Sequence, residues 1–340
     1  MSIAGIRTMI AMNWTTWTTT NLKYEIDRAK DIGLNCLSLL VWKKYIVQYR
    51  TAATDPLKDV MAYAAQQGIR IQLLVTYGNG TDYGGRETFW QNPTMQTAFI
   101  NDFKWVIARY PTAWGYDLEE PHRYGTDAAT AAACRTALNA FFVKCKALIP
   151  AGKTWGFNTA SSYSVNMMNQ GIDIQYINNN KIFDHYTVQA GNATLSGFVG
   201  EYNQVKGYFP NLEILAVTYN IGSGSVAQPG CKDAAGNVQW SNPACYYSAF
   251  LDQLTYCKNN NIPLCIFRSE VLKFSRSIFP NYPNIAGATV ADMVKTVLGG
   301  ASPTPPPSPP PQPTVETDPT KIVMALAGVG GLLYILDKEI

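Results

Sequence analysis

Eight short runs rich in β-branched, leucine and aromatic residues punctuate the first 300 residues of this 340-residue chain, with helical patterns between them. They are Ile6–Met12, Leu34–Trp42, Ile69–Thr76, Trp114–Leu118, Thr154–Asn158, Phe183–Val188, Leu212–Thr218 and Pro263–Phe267. The runs are nearly continuous in apolar residues rather than alternating, which suits parallel strands covered on both faces. Helices are predicted over Thr20–Ile32, Asp55–Gln67, Thr94–Arg109, Asp127–Leu148, Leu195–Tyr208, Cys245–Asn259 and Thr289–Leu298. Gly33 and Gly68 close two of these helices, and Gly152 and Pro210 stand just before strands, as expected where a short loop feeds a buried strand. This alternation predicts the α/β class and, within it, one (β/α)₈ TIM barrel over residues 1–300. An open doubly wound sheet would need a phosphate-type glycine fingerprint at a helix start. Gly78-Asn79-Gly80 and Gly84-Gly85 do not form one.

The composition breaks after Gly299-Gly300. Residues 301–320 form a proline-rich linker, extended and unable to pack into a barrel. Residues 321–340 contain Ile322–Leu336, fifteen residues without a charge. That is short of the roughly 17 needed to span a bilayer. Ala325, Ala327, Gly328, Gly330 and Gly331 nevertheless allow close helix packing in lipid or in an assembly. The segment reads as a C-terminal anchor to a membrane or to a virion or envelope assembly, which places the barrel on a cell surface or virion. The N-terminal stretch lacks the basic region, sustained apolar run and cleavage site of a signal peptide.

Charged residues are only 15% of the chain, against about 25% typically, and the net charge is +3 with no basic block. Nucleic acid is therefore not an expected partner. The 20 tyrosines and 8 tryptophans suit stacking on sugars. Seven cysteines without a C-x-x-C pair, and two histidines, argue against a Cys/His zinc site, and neither metal nor cofactor is expected. Cys36 and Cys265 read as core. Cys134 and Cys145 share a helix face too far apart to bond. Cys231 and Cys245 bracket a Gly/Asn/Pro-rich loop, as a disulfide or as free buried thiols.

Barrel sites form at the C-terminal ends of strands. The informative segment is Tyr110 to Arg123, where Asp117, Glu119 and Glu120 crowd the end of the fourth strand. Pleating turns Asp117 and Glu119 to one side and Glu120 to the other, until Pro121 breaks the strand. Burial and mutual repulsion of such acids raise the pKa of at least one, which is what a general acid for glycosidic cleavage needs.

This segment resembles the fourth-strand motif of the (β/α)₈-barrel glycoside hydrolases, where a Trp/Tyr- and Leu-containing strand ends in Asn-Glu-Pro or Asp-Glu-Pro. Glu120-Pro121 matches the Glu-Pro, and Glu119 stands where Asn or Asp is usual. The resemblance implies that Glu120 is the general acid/base and that the partner is a polysaccharide or glycan. It also implies a nucleophile glutamate at the end of strand seven, and here the chain departs. That stretch is Ala216-Val-Thr-Tyr-Asn-Ile-Gly222, with Glu213 at the strand's start. The second carboxylate must then be Glu270 beyond strand eight, Asp184 in strand six, or Asp117. Asp117 with Glu119 would form a D-x-E pair like that of some lysozyme-type barrels, about 6–7 Å apart on one face.

Polar and aromatic residues at strand ends complete a candidate saccharide cleft: Asn13 and Trp14, Trp42, Tyr77 and Asn79, His122, Asn158, Tyr186 and Gln189, and Tyr219 and Asn220. His185 either orients an acid or fills an interior bond. Two functions follow: a hydrolase cleaving a polysaccharide by carboxylate acid/base chemistry, or a non-catalytic glycan-binding or structural surface or virion module on the same barrel.

Overall fold

The computed structural model describes residues 2–11, 17–76, 83, 88–119, 127–160, 171–189, 194–218, 249–267, 269–275, 277 and 285–299. The linker, the apolar tail and the loop carrying Cys231 and Cys245 lie outside the described residues. Eight strands close into one barrel in sequence order: β1 (Arg7–Ala11), β2 (Cys36–Val41), β3 (Arg70–Thr76), β4 (Gly115–Glu119), β5 (Thr154–Ala160), β6 (His185–Gln189), β7 (Glu213–Thr218) and β8 (Leu264–Ile266). Every pair is parallel, and β8 returns to β1 through Arg7↔Leu264 and Thr8↔Cys265. The helices between them are α1 (Thr19–Asp31), α2 (Lys43–Arg50), α3 (Pro56–Gln66), α4 (Pro93–Arg109), α5 (Ala128–Lys146), α6 (Ile174–Asn180), α7 (Leu195–Tyr208), α8 (Phe250–Asn259) and α9 (Val290–Leu298).

Local chemistry sets the helix ends. Thr18, Asp55, Asn92, Asp127 and Thr194 each accept a backbone N–H of the first turn, and Pro56 and Pro93 occupy positions where no N–H is needed. Thr289 and Asp292 form a reciprocal capping box on α9. Gly33, Gly68 and Gly299 terminate helices with left-handed φ values of 82°, 73° and 82°.

Two helices, α2 and α6, were not expected from the pattern. Helix α2 begins with Lys43-Lys44, has no acid in its first turn and lacks a side-chain cap, so it carries no start signal. Tertiary burial of Tyr45, Ile46 and Tyr49 holds it instead. Helix α6 is seven residues of low helix propensity, capped by Asp173 and stopped by left-handed Lys181.

Strand pleating divides the core into two layers. Outward-facing Leu37, Leu39, Leu73, Val75, Tyr116, Leu118, Trp155 and Phe157 pack beneath the helices in the main cluster. Its densest part is aromatic: Phe103 lies 5.3 Å from Trp155, and Phe142 meets Phe157 and Phe183 at 5.6 and 5.3 Å. Inward-facing Ile10, Cys36, Leu40, Leu74, Leu215, Val217 and Cys265 form a second, smaller cluster inside the barrel. The inner layer is only partly apolar, and its polar members lead to the site.

Candidate functional site

The inner face of β4 carries Gly115, Asp117 and Glu119, as the pleat requires. Register aligns Glu119 with Thr76 of β3 and Asn158 of β5 at the C-terminal mouth. Glu119 is half-buried, whereas Asn158 and Thr76 are buried. One layer deeper, Asp117 aligns with Leu74, Gly156 and, across β5, His185. Asp117 and His185 are both buried.

Both oxygens of Asp117 have a polar neighbour. Its Oδ1 lies 2.8 Å from His185 Nε2, and Thr187 Oγ1 donates to its Oδ2 at 3.2 Å. The contact with His185 crosses β5, and a glycine there makes it feasible. A Cβ on Gly156 would fall 2.0 Å from Asp117 Oδ1 and 2.2 Å from His185 Nε2. At the same ring nitrogen, Gln72 Nε2 stands 3.3 Å from His185 Nε2. Gln72 Oε1 accepts from Ser38 Oγ at 3.0 Å, and Ser38 in turn meets Thr8 Oγ1 at 3.0 Å. A polar chain therefore runs through the barrel from β1 to β4 by way of β2, β3 and β6. Each member is buried, and the hydroxyl and amide links pair groups that would otherwise be costly to bury, whereas among the described residues His185 Nδ1 and Asp117 Oδ1 have no hydrogen-bond partner.

The buried thiols beside this layer are chemically quiet. Burial pushes Cys36 up to about 12, although a hydrogen bond with Thr8 acts against it. Burial likewise drives Cys265 well above an ordinary thiol. Neither is a nucleophile near neutrality. Among the described residues no three His, Cys, Asp or Glu side chains are grouped to hold a metal.

The other expected site residues fall in three places. Trp42 packs against the inner cluster at the end of β2, directly before α2. Asp184 and Tyr186 sit away from the C-terminal mouth. Strand β6 begins at His185, so Asp184 precedes it at the N-terminal mouth, where its Oδ2 accepts from Trp155 N at 2.9 Å. Tyr186 follows inward-facing His185 and so faces outward, fully buried and stacked on Phe209 at 4.7 Å. Gln189 ends β6, and Glu270 belongs to a 3₁₀ turn, Ser269–Lys273, just after β8. Asn13, Trp14, Tyr77, Asn79, Glu120, His122, Tyr219 and Asn220 lie outside the described residues.

Glu213 also lies at the N-terminal mouth, as its place at the start of β7 demands. Its carboxylate accepts from Ser2 Oγ and Ile3 N, both at 2.6 Å, and so ties down the N-terminal segment. An open cleft of about 450 Å³ adjoins it, lined in part by Lys181, Asp184 and Asn211. Both carboxylates there already hold backbone amides, so this end of the barrel reads as structural.

Residue-type reasoning noted His185 but missed Thr8, Ser38 and Gln72. The signal was a polar residue in the middle of each apolar run, at the parity that faces inward.

Solved structures share this architecture. A chitinase from Bacteroides thetaiotaomicron aligns with a TM-score of 0.55 at 11% identity, covering 88% of this chain and 98% of that one. An endo-1,4-beta-mannanase from Rhizomucor miehei aligns with a TM-score of 0.55 at 14% identity, covering 87% and 93%. The fold is the (β/α)₈ barrel that these two enzymes also have. The spore cortex-lytic enzyme SleL of Bacillus cereus also aligns, with a TM-score of 0.43 at 16% identity. That match covers 62% of this chain and only 50% of SleL. Identities this low establish the (β/α)₈ barrel fold alone. No protein-family model and no curated protein sequence matches the chain.

Proposed function

We propose that the C-terminal mouth of the barrel is a glycan site and that the protein cleaves a polysaccharide by carboxylate acid/base chemistry. The observation that carries this reading is the inner face of β4. Glu119 stands half-exposed at the mouth with Asn158 beside it and buried Asp117 one pleat below. Two carboxyl groups in unlike surroundings on one strand suit a division between an acid that protonates the departing oxygen and a partner that remains charged. The reading that the barrel fold lends to glycans agrees, because the chitinase and the mannanase are polysaccharide-cleaving enzymes by name.

In this scheme Glu119 or its neighbour Glu120 protonates the leaving group. Asp117 or Glu270 supplies the second carboxylate. The test is hydrolysis of a broad glycan panel by the wild type, Glu119→Gln, Glu120→Gln and Asp184→Asn, with glycan binding measured in parallel. Loss of turnover in a strand-four variant with binding retained, and no loss in Asp184→Asn, supports the assignment. Full turnover in both strand-four variants overturns it.

One observation favours a second reading, a glycan-binding module without turnover. Among the described residues of β7, the only carboxylate is Glu213, at the end away from the mouth. Binding without turnover in every protein of the series would select that reading.

We also propose that residues 322–336 attach the barrel, through the proline-rich spacer, to a membrane or a larger particle. Liposome flotation of the full chain, compared with a chain ending at Gly299, tests the membrane form. Equal flotation of the two would remove it.

A further inference from the structure

Apart from Asp117, the polar chain inside the barrel is not consumed by the cleavage scheme above, and stability alone accounts for it poorly. A layer that already contains Leu74 and Leu215 would be at least as stable if its polar members were apolar residues of similar volume. What the chain supplies is direction. Asp117 faces His185 at one oxygen, at 2.8 Å, and accepts from Thr187 at the other. The imidazole is in turn braced by Gln72, and Gln72 by Ser38. Gly156 leaves open the space in which the carboxylate and the ring meet.

We propose that His185 is a positioning residue for the strand-four carboxylates. It fixes the orientation of Asp117, and Asp117 sets the hydrogen-bonding and charge environment beneath Glu119. At 2.8 Å from a carboxylate oxygen, Nε2 pairs with Asp117 in the tautomer that places the ring hydrogen there. A half-turn of the Gln72 amide, which exchanges its oxygen and nitrogen, presents an acceptor to that same edge. This inference rests on the reading of the mouth as a glycan site.

The test pairs kinetics with a direct view of the ring. The chain has two histidines, so the imidazole ¹⁵N spectrum contains two rings, and His122→Gln assigns them. Asp117→Asn is expected to shift the Nε2 resonance of His185. His185→Leu is expected to lower kcat about tenfold or more, with KM changed by no more than about twofold. His185→Gln places an amide nitrogen near the former Nε2 and restores most of kcat, which a merely space-filling histidine would not require. Gln72→Met removes the brace and keeps the pair, and gives a smaller loss of kcat in the same sense. It carries the kinetic test if His185→Leu does not fold.

If the wild type binds glycan without turnover, Kd replaces kcat: weaker binding in His185→Leu, restored in His185→Gln, supports the proposal. An unmoved Nε2 resonance in Asp117→Asn overturns the inference alone, as does unchanged kcat or Kd across the His185 and Gln72 variants. A wild type that neither cleaves nor binds any glycan, with His185 still coupled to Asp117, overturns the glycan reading and this inference with it.

Discussion

Asp117 Oδ1 and His185 Nε2 approach to 2.8 Å across β5, over the backbone of Gly156, which is in register with both residues. The two side chains come from strands that are not neighbours in the sheet, and only the missing Cβ lets them touch.

Gly156→Ala should therefore destabilise the barrel by about 1–3 kcal/mol, the usual cost of forcing an extra carbon into a packed interior. The urea midpoint reads it. A variant as stable as the wild type would mean that Asp117 and His185 part without penalty.

Gly207 should behave in the opposite way. It lies in α7, where an added Cβ meets nothing within 4 Å. Gly207→Ala is expected to raise stability by about 0.5–1 kcal/mol, through helix propensity and a less free unfolded chain. Thermal unfolding of the two alanine variants side by side should show shifts of opposite sign.

Asp55 anchors the helices on one flank of the barrel. Its carboxylate accepts from Tyr45 Oη at 2.7 Å, Tyr110 Oη at 2.8 Å and Arg109 Nε at 2.9 Å, and it caps α3 through Leu57 N and Lys58 N. Asp55→Ala leaves these donors unmatched in a buried place and should cost about 3–5 kcal/mol. Asp55→Asn, which keeps one acceptor oxygen, should cost less. Equilibrium denaturation of both variants checks the order.

Alkaline pH should weaken the fold through its buried thiols. Burial raises Cys36 and Cys257 from 9.0 to about 12. Below pH 9 the thiol is protonated in both folded and unfolded chains, and its contribution to stability is fully present. Between pH 9 and 12 the unfolded thiol has lost its proton while the folded one keeps it, so stability falls as pH rises. Each such thiol contributes a slope of about 1.4 kcal/mol per pH unit in that window. Denaturation at pH 8, 9 and 10 should show the decline, and Cys257→Ala should make it shallower. A thiol reagent at pH 8 is expected to leave both cysteines unmodified until the protein is unfolded.

The strand order was legible because its signals are local: caps such as Asp55 and Asn92, and stops such as Gly33 and Gly68, mark each βα unit from within. The shared face of Asp117 and Glu119 followed from the pleat. Other features depended on where a strand begins. Reading the sixth strand from Phe183 brought Asp184 into it, whereas the ladder starts at His185. That difference leaves Asp184 at the N-terminal mouth, and the strand's parity sends Tyr186 outward. The link between Gln72 and His185 joins residues 113 apart in sequence, and closure of the barrel alone brings them together. Helix α2 was missed for a different reason: its ends are silent and its buried face holds it.

The polar layer in the barrel also separates what can be exchanged from what cannot. Thr8, Ser38, Gln72, Asp117, His185 and Thr187 all belong to strands, and the described links among them use no loop residue. Loops grafted onto the C-terminal rim from another barrel would thus inherit an oriented carboxylate already in place. A single strand transplanted the same way would break the layer at one joint or more, so this interior changes as a block or not at all.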